Sequence, residues 1–598
     1  MDDKKIHWRL GILAALAVTC IALYPQARFC YERGRAWQGT YAVVQADEPV
    51  YAAYLNALIE GRPRRNNPLS NLDTEPDGRP LTESYFSIQF VPAYMLALPA
   101  RALGLTAPQV FMLLAPLMAF LTTLALFWLL TILTGDERLA SVGALIVLCF
   151  GTLAAGQGAG RLLLGWRTWY DYFPFLRRYQ PAPTFPLFFL FCACACRALT
   201  RDLRCARRYA TLAGLLFALL IFSYFYLWTA AAAWLACLVT LWLVARRTNV
   251  RELTQRLAPF VTLALAALVP YGLLMARRVA STDQVLMMEL TRAPDLLRVP
   301  ELIGAAVLVA LAIGARRNAF AWRDQTALLA ASFALTPFVV FNQQLITHRS
   351  LQPLHYEQFI ANYTALIASV LTVALLRRNR APIKPHLLRI AALIACAWGL
   401  VEVGFTTQAF SDYNREHDDV VPIVQRIKQT PAAVAIVGPL PPMVFTTSIA
   451  LANNLPTYSQ PILWGTHIPN FPSSSTDECQ ERAFQFYYYA GTSPDQLRQL
   501  LASNQFDAVN AVFSLERAVP VLTAHPAPLS AVEIDQAVER YAQYCASFSR
   551  ERARHLPLGY AVVPVAQQVD LTNLDRWYER DAGERIGAFM LYRLRLRP

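Results

Sequence analysis

Apolar residues in this chain come in long unbroken runs, not in the period-2 or period-3.6 stripes of a water-soluble fold. Runs 113–133 and 212–245 hold no charged residue, and about 20 apolar residues span a bilayer core as a helix. The pattern predicts eleven spans, at roughly 8–24, 106–133, 138–156, 183–199, 209–224, 226–245, 257–276, 299–315, 325–341, 358–376 and 388–407. Residues 209–245 must hold two of them. One helix of about 37 residues would be about 55 Å long, too long for the bilayer, so a turn is predicted near Ser223–Tyr226. The first run, 9–24 behind Lys4, Lys5 and Arg9, reads as an uncleaved helix. The stretch IALYPQARFCYERG that follows offers a poor cleavage site for a signal peptide.

Between the runs, four loops are basic: 197–208, 246–256, 316–324 and 377–389. Lys and Arg concentrate in cytoplasmic loops. If all four are cytoplasmic, an even number of passes separates any two, which the predicted spans satisfy. The same parity places 87–104, interrupted by Pro92, Pro99 and Arg101, along the outer membrane surface and not across the bilayer. With the N-terminus inside, the long segment 25–105 is outside. So are the loops near 157–182, 277–298 and 342–357, and everything after about 408. The expected architecture is a polytopic, mainly α membrane bundle over 1–407, followed by an extracytoplasmic soluble α/β domain over 408–598. In that domain AAVAIVG (432–438), TYSQPILW (457–464) and QFDAVNAVF (505–513) read as strands. Ser493 with Pro494 and Gln496 resembles a capping box, and 530–549 reads as an amphipathic helix.

Composition agrees. Of 598 residues 55% are hydrophobic and 16% charged, against about 25% charged in soluble chains, which excludes a soluble enzyme of this length. The net charge of +13 comes from Arg lying between apolar runs, so it points to membrane topology and not to nucleic acid. Cys192, Cys194 and Cys196 alternate, which scatters them around a helix as small packing residues. Cys479 and Cys545 fall in the polar C-terminal region, where pairing is open. VGPLPP is not a glycine-rich nucleotide loop. The sequence names no cofactor and leaves a divalent cation open.

The first outer loop carries the chemistry. Asp47 and Glu48 are adjacent acids, and Pro49 then starts a helix at the position where its missing N–H costs nothing. Tyr51, Tyr54, Leu55, Leu58 and Ile59 fall at helical spacing, predicting an amphipathic helix on the outer surface that ends at Gly61. An acidic pair shortly after the first span, then Tyr51, a Leu-Gly stop, a polar stretch and a surface helix ending in Leu103-Gly104, resembles the GT-C superfamily of membrane glycosyltransferases. Lipid A aminoarabinose transferases and protein O-mannosyltransferases are the similar types. The chain has Ala46 where such proteins usually have Pro, and Thr82-Glu83-Ser84-Tyr85 where they carry a Lys-Pro-Pro motif.

The resemblance implies a transferase of the bacterial inner membrane. It would move a sugar from a polyprenyl-phosphate lipid to a hydroxyl of a glycan, lipid or protein acceptor. It makes the first-loop acid, Asp47 with Glu48 beside it, the base or the orienter of the acceptor, and Asp171 the second acid, with Tyr51 near the substrate. An acid at a helix N-terminus is also favoured by the helix dipole alone. Loop 156–186 holds Arg161, Arg167, Arg177 and Arg178 against the single acid Asp171. Such an excess outside calls for an anion, and a lipid phosphate is one. Loop 341–363 gathers His348, Arg349, His355 and Tyr356, a polar cluster at the membrane edge. His348 and His355, seven apart, are placed on one helix face, but they lack the HExxH spacing of zinc sites. A non-enzymatic polysaccharide or lipid exporter is the alternative. It would need polar residues at mid-membrane, and Glu402 in the last span is the main one.

Overall fold

The structure, a computed structural model, describes residues 6–75, 77–166, 168, 173–246, 249–278, 288–380, 383–430, 440–470, 476–519 and 528–598. It divides into two compact units. One comprises Met1–Glu32, Phe111–Leu273 and Leu290–Phe410, the other Arg33–Val110, Leu274–Glu289 and Ser411–Pro598.

The first unit is a helix bundle. Among the described residues, eight helices are long and apolar enough to cross a membrane, which makes the chain a multi-pass membrane protein. Helices also stand at the other three predicted spans, but they are weaker candidates. Glu137–Cys149 has 13 residues and Thr184–Thr200 has 17. Leu203–Ile221 spends its first turns on Arg204, Arg207 and Arg208. The expected turn is present between Leu203–Ile221 and Phe225–Arg246.

The basic loops gather at one end of the bundle. Glu137 accepts from the His7 backbone N–H at 2.8 Å, and Arg378 pairs with Asp324 at 2.5 Å. The Thr326 hydroxyl donates to the Leu133 carbonyl at 3.4 Å, and Arg207 donates to the Gln255 carbonyl at 3.2 Å. The few acids in these loops have a local duty. Asp136, Asp202 and Asp324 are each an N-cap, accepting from Arg138 and Leu139, from Cys205, and from Thr326 and Ala327. Glu252 sits in the first turn of Val250–Ala276. The three N-cap aspartates satisfy helix N–H groups that have no intrahelical acceptor, and Glu252 pairs with Arg256 at 2.8 Å.

In the second unit the Glu48–Ile59 helix departs from expectation. It starts and ends as predicted, with Pro at its first turn and Gly61 at φ +88°. It is not a surface helix, however. Val50 through Leu55 are all buried, because the helix is apolar on nearly every face and other elements cover it. Phe90–Leu103 forms the second predicted helix, closed by Gly104 in the left-handed conformation. It leaves Met95, Leu98 and Leu103 exposed.

The C-terminal segment builds a mixed sheet. Strands β1 (Met443–Thr446), β2 (Leu558–Pro564), β3 (Tyr578–Arg580), β4 (Glu584–Ile586) and β5 (Phe589–Leu596) run in the order β1-β2-β5-β3, with β4 also on β5. β1 and β2 are parallel, with Val444 opposite Tyr560, and the other pairs are antiparallel. Thr476–Tyr489, Pro494–Ala502 and Ala531–Ala546 are helices, the last two opened by the Ser493/Gln496 and Ser530/Glu533 capping boxes.

Two predicted strands are corrected. Residues 505–513 contain the helix Phe506–Val512, since a short apolar run fits a buried helix as well as a strand. Residues 457–464 begin inside a 3-10 turn, Leu455–Tyr458, and contribute one bridge, Ile462 to Val444. The strand predicted at 432–438 lies outside the described residues. No disulfide joins Cys479 and Cys545, and Cys192, Cys194 and Cys196 are buried packing residues.

Candidate functional site

Asp47 sits on a turn held from three directions. The approach to it, residues 37–45, is pinned along the helix Ser411–Gln429. Asn414 bonds the Val43 N–H at 2.7 Å and its carbonyl at 3.1 Å. The fully buried Asp418 carboxylate accepts from the Thr40 hydroxyl at 2.7 Å, the Gln38 N–H at 3.0 Å and Arg33 at 2.8 Å. Glu48 closes the turn. Buried completely, it takes the Val44 N–H on Oε2 at 3.0 Å. On the third side, His467 Nε2 stands 3.2 Å from the Ala46 carbonyl.

The result separates the two acids. Glu48 is committed to the backbone, whereas Asp47 is half-exposed and, though at the N-cap position with αR backbone, makes no side-chain cap hydrogen bond. Tyr51 is buried edge-on against Phe86, ring centroids 5.7 Å apart.

His467 was invisible to sequence reasoning, because its partner is 421 residues away. Its loop is fixed by Asn453, whose Oδ1 accepts the Thr466 N–H at 3.1 Å, and by Asn510, which donates to the Thr466 carbonyl at 3.0 Å. The Thr466 hydroxyl reaches Asp507 at 3.4 Å. Burial pushes the imidazole below its ordinary pKa against the pull of the Asp47 and Asp507 carboxylates. Burial raises the Asp507 carboxyl, with the Thr466 hydrogen bond and His467 opposing.

The Thr82–Tyr85 stretch carries an acid where the resemblance expects a lysine. Glu83 is gripped by Arg64 through both oxygens, at 2.6 and 2.7 Å, and by the Ser87 hydroxyl at 2.6 Å. Burial works to raise its pKa, but Arg64 and Ser87 outweigh it and hold the carboxyl below the usual range. The stability this gives is present above the ordinary Glu pKa and lost as pH falls through the depressed one. Glu83→Gln is expected to cost about 2–3 kcal/mol, read as a lower melting temperature. The figure lies below that for a fully buried pair because Arg64 keeps some solvent contact. An unchanged melting temperature would refute a structural role for the pair.

In the first unit, the helix end away from the basic loops carries a cationic and aromatic cluster. Arg177, 2% exposed, donates from Nε to the Gln180 carbonyl at 2.6 Å and from Nη2 to the Tyr224 hydroxyl at 3.1 Å. Its guanidinium lies 4.5 Å from the Phe359 ring centroid, in cation–π range. Arg178, also buried, donates to the Phe111 carbonyl at 3.3 Å. Gln180 Nε2 ties this loop to the Ser223 carbonyl at 2.5 Å.

His355 stacks on Tyr226 at 4.9 Å, and the Tyr356 hydroxyl is 2.9 Å from that of Thr229. His355 and Tyr356 thus join the arginines, while His348 and Arg349 are exposed. The shared helix face expected for His348 and His355 is corrected. Residues 348 and 352 both take positive φ, and the two-residue strand Ser350–Leu351 lies between the histidines. Asp171 and Arg167 lie outside the described residues.

The cluster continues into a π-helical turn, Glu357–Ala361, a feature frequent at functional sites. Arg298 bridges Asp295 at 2.7 Å and Glu357 at 2.8 Å. Gln358 is fully buried with neither side-chain atom hydrogen-bonded. Glu402 takes the Ala159 N–H at 3.0 Å. A Cβ on residue 158 would lie 2.4 Å from its carboxylate, which explains Gly158 at φ +69°. Glu402, the main mid-span acid, therefore closes a loop.

No family model matches the chain, and no curated protein matches it. Among solved structures it is similar to ArnT from Cupriavidus metallidurans bound to undecaprenyl phosphate, at 13% identity and a TM-score of 0.43, covering 98% of this chain and 97% of that one. At that identity and score the likeness lends no residue role and no substrate to this chain.

Proposed function

We propose that the protein is a GT-C type glycosyltransferase that moves a sugar from a polyprenyl-phosphate donor to an acceptor hydroxyl at the outer face of the membrane. The observation that carries this reading is Asp47: a half-exposed carboxylate on a braced turn that does not cap the helix it precedes. Asp136, Asp202 and Asp324, by contrast, each cap a helix with the side chain.

In the reaction the acceptor oxygen bonds to the anomeric carbon, its proton passes to Asp47, and the bond from sugar to phosphate oxygen breaks with the electron pair leaving on the lipid phosphate. Arg177 and Arg178 are assigned to that growing negative charge, with His355 and Tyr356 beside them at the donor. Glu48 shapes the turn. His467 is a positioning residue acting through the Asp47 turn. A non-enzymatic exporter draws no support from Glu402, whose carboxylate closes a loop.

The test is transfer by purified protein from a panel of radiolabelled polyprenyl-phosphate sugars, with Asp47→Asn in parallel. Transfer by the wild type that the variant loses supports the reading, and lipid-phosphate binding with no transfer from any donor overturns it. A second expectation concerns pH. Because the folded state disfavours His467 protonation, acid opposes it: stability falls as pH drops below about 6.5, and a charged His467 disturbs the turn it holds. His467→Gln, which keeps a donor for Ala46 but cannot titrate, should flatten the acid limb of kcat above the ordinary carboxylate range. His467→Ala should lower kcat about tenfold with KM nearly unchanged. Wild-type pH profiles in both variants would remove His467 from the site.

A further inference from the structure

The end of the bundle where the basic loops meet encloses a cavity of about 980 Å3. Its wall is drawn from five parts of the chain: the N-terminal residues Ile6 and His7, the 131–138 turn, Arg197 with Arg201, Asp324–Thr326 and Arg378. Four guanidiniums, those of Arg138, Arg197, Arg201 and Arg378, face three carboxylates, those of Asp136, Glu137 and Asp324.

The carboxylates are turned to local tasks. Asp136 caps Glu137–Cys149. Asp324 caps Gln325–Asn342 and pairs with Arg378. Glu137 accepts from the His7 backbone and lies 3.4 Å from its ring. Arg197 and Arg201 stand one turn apart at the end of Thr184–Thr200, and with four guanidiniums against three carboxylates the wall carries a positive excess.

We propose that this cavity binds the phosphate headgroup of an anionic phospholipid. The volume falls at the upper end of ordinary ligand pockets and exceeds what one inorganic ion needs. The apolar Ile132 and Leu133 line it beside the charges, as a bound glycerol backbone and upper acyl chain require. Basic pockets between the ends of membrane helices recognise such headgroups through charge-assisted hydrogen bonds. The site shares no residue with the Arg177 cluster, and it does not depend on the enzymatic reading.

The test uses full-length protein in nanodiscs of phosphatidylcholine alone or with phosphatidylglycerol, measuring melting temperature and, by native mass spectrometry, retained lipid. Phosphatidylglycerol should raise the melting temperature by several degrees, as a ligand of the folded state does. Arg197→Gln/Arg201→Gln should lose that increment and the retained anionic lipid while matching the wild type in phosphatidylcholine. Arg197→Lys/Arg201→Lys, which keeps the charge, should recover part of the increment and guards against a folding defect in the Gln pair. An equal increment in the Gln pair and the wild type overturns the proposal. So does an equal increment from inorganic phosphate added to phosphatidylcholine nanodiscs, which would make the ligand a soluble anion.

Discussion

Asp47→Asn should lose about 10²–10⁴-fold in kcat, the span general-base removal covers, while its folding free energy stays within about 0.5 kcal/mol of wild type. The stability half follows from the cap geometry, since the Asp47 side chain holds none of its helix's N–H groups. Glu48→Gln is the control with the opposite signature. Its amide oxygen can still take the Val44 N–H, which the carboxylate takes at 3.0 Å, but buried and uncharged it makes a weaker bond, so stability should fall by about 1 kcal/mol with activity largely kept. Steady-state kinetics and thermal unfolding on the two variants separate the cases. A swap of the two phenotypes would move the base to Glu48 and leave the loop's general role intact.

Arg177→Gln should cost about 10²–10³-fold in kcat, the scale for removing one charge-stabilising donor from a transition state. Arg177→Lys should recover only part of it, because an ammonium reproduces the charge without the fork that reaches the Gln180 carbonyl and Tyr224 hydroxyl or the stack on Phe359. The same variants should bind free polyprenyl phosphate more weakly, measured as product inhibition. If Arg177→Gln were inhibited as strongly as the wild type, Arg177 would be a strut for its loop and the phosphate site would lie elsewhere.

What the sequence revealed divides along one physical line: the separation between a residue and its partner. Spans were legible because apolar length is a local property. The cap at Ser493 was equally local. The Glu48–Ile59 helix was found with its ends right and its environment wrong, since the segments that bury it lie elsewhere in the chain. Phe506–Val512 was misread because a run that short has no period long enough to tell helix from strand. At the candidate site, Asp47, Arg177, His355 and Tyr356 could be named from charge and position. His467, Arg298 and Gln358 could not. Each is ordinary in its own window and becomes notable only beside something remote, as Arg298 does beside Glu357, 59 residues on.

The pinning of residues 37–45 by Asn414 and Asp418 also sets an order of events during synthesis. Val43 and Asn414 are 371 residues apart, and at roughly 5–20 residues per second a ribosome needs roughly 20–75 s to make the second after the first. Throughout that interval the turn bearing Asp47 exists without its clamp, so it matures only when the last third of the chain arrives. A truncated or stalled product would therefore carry every predicted span and still lack an assembled Asp47 turn.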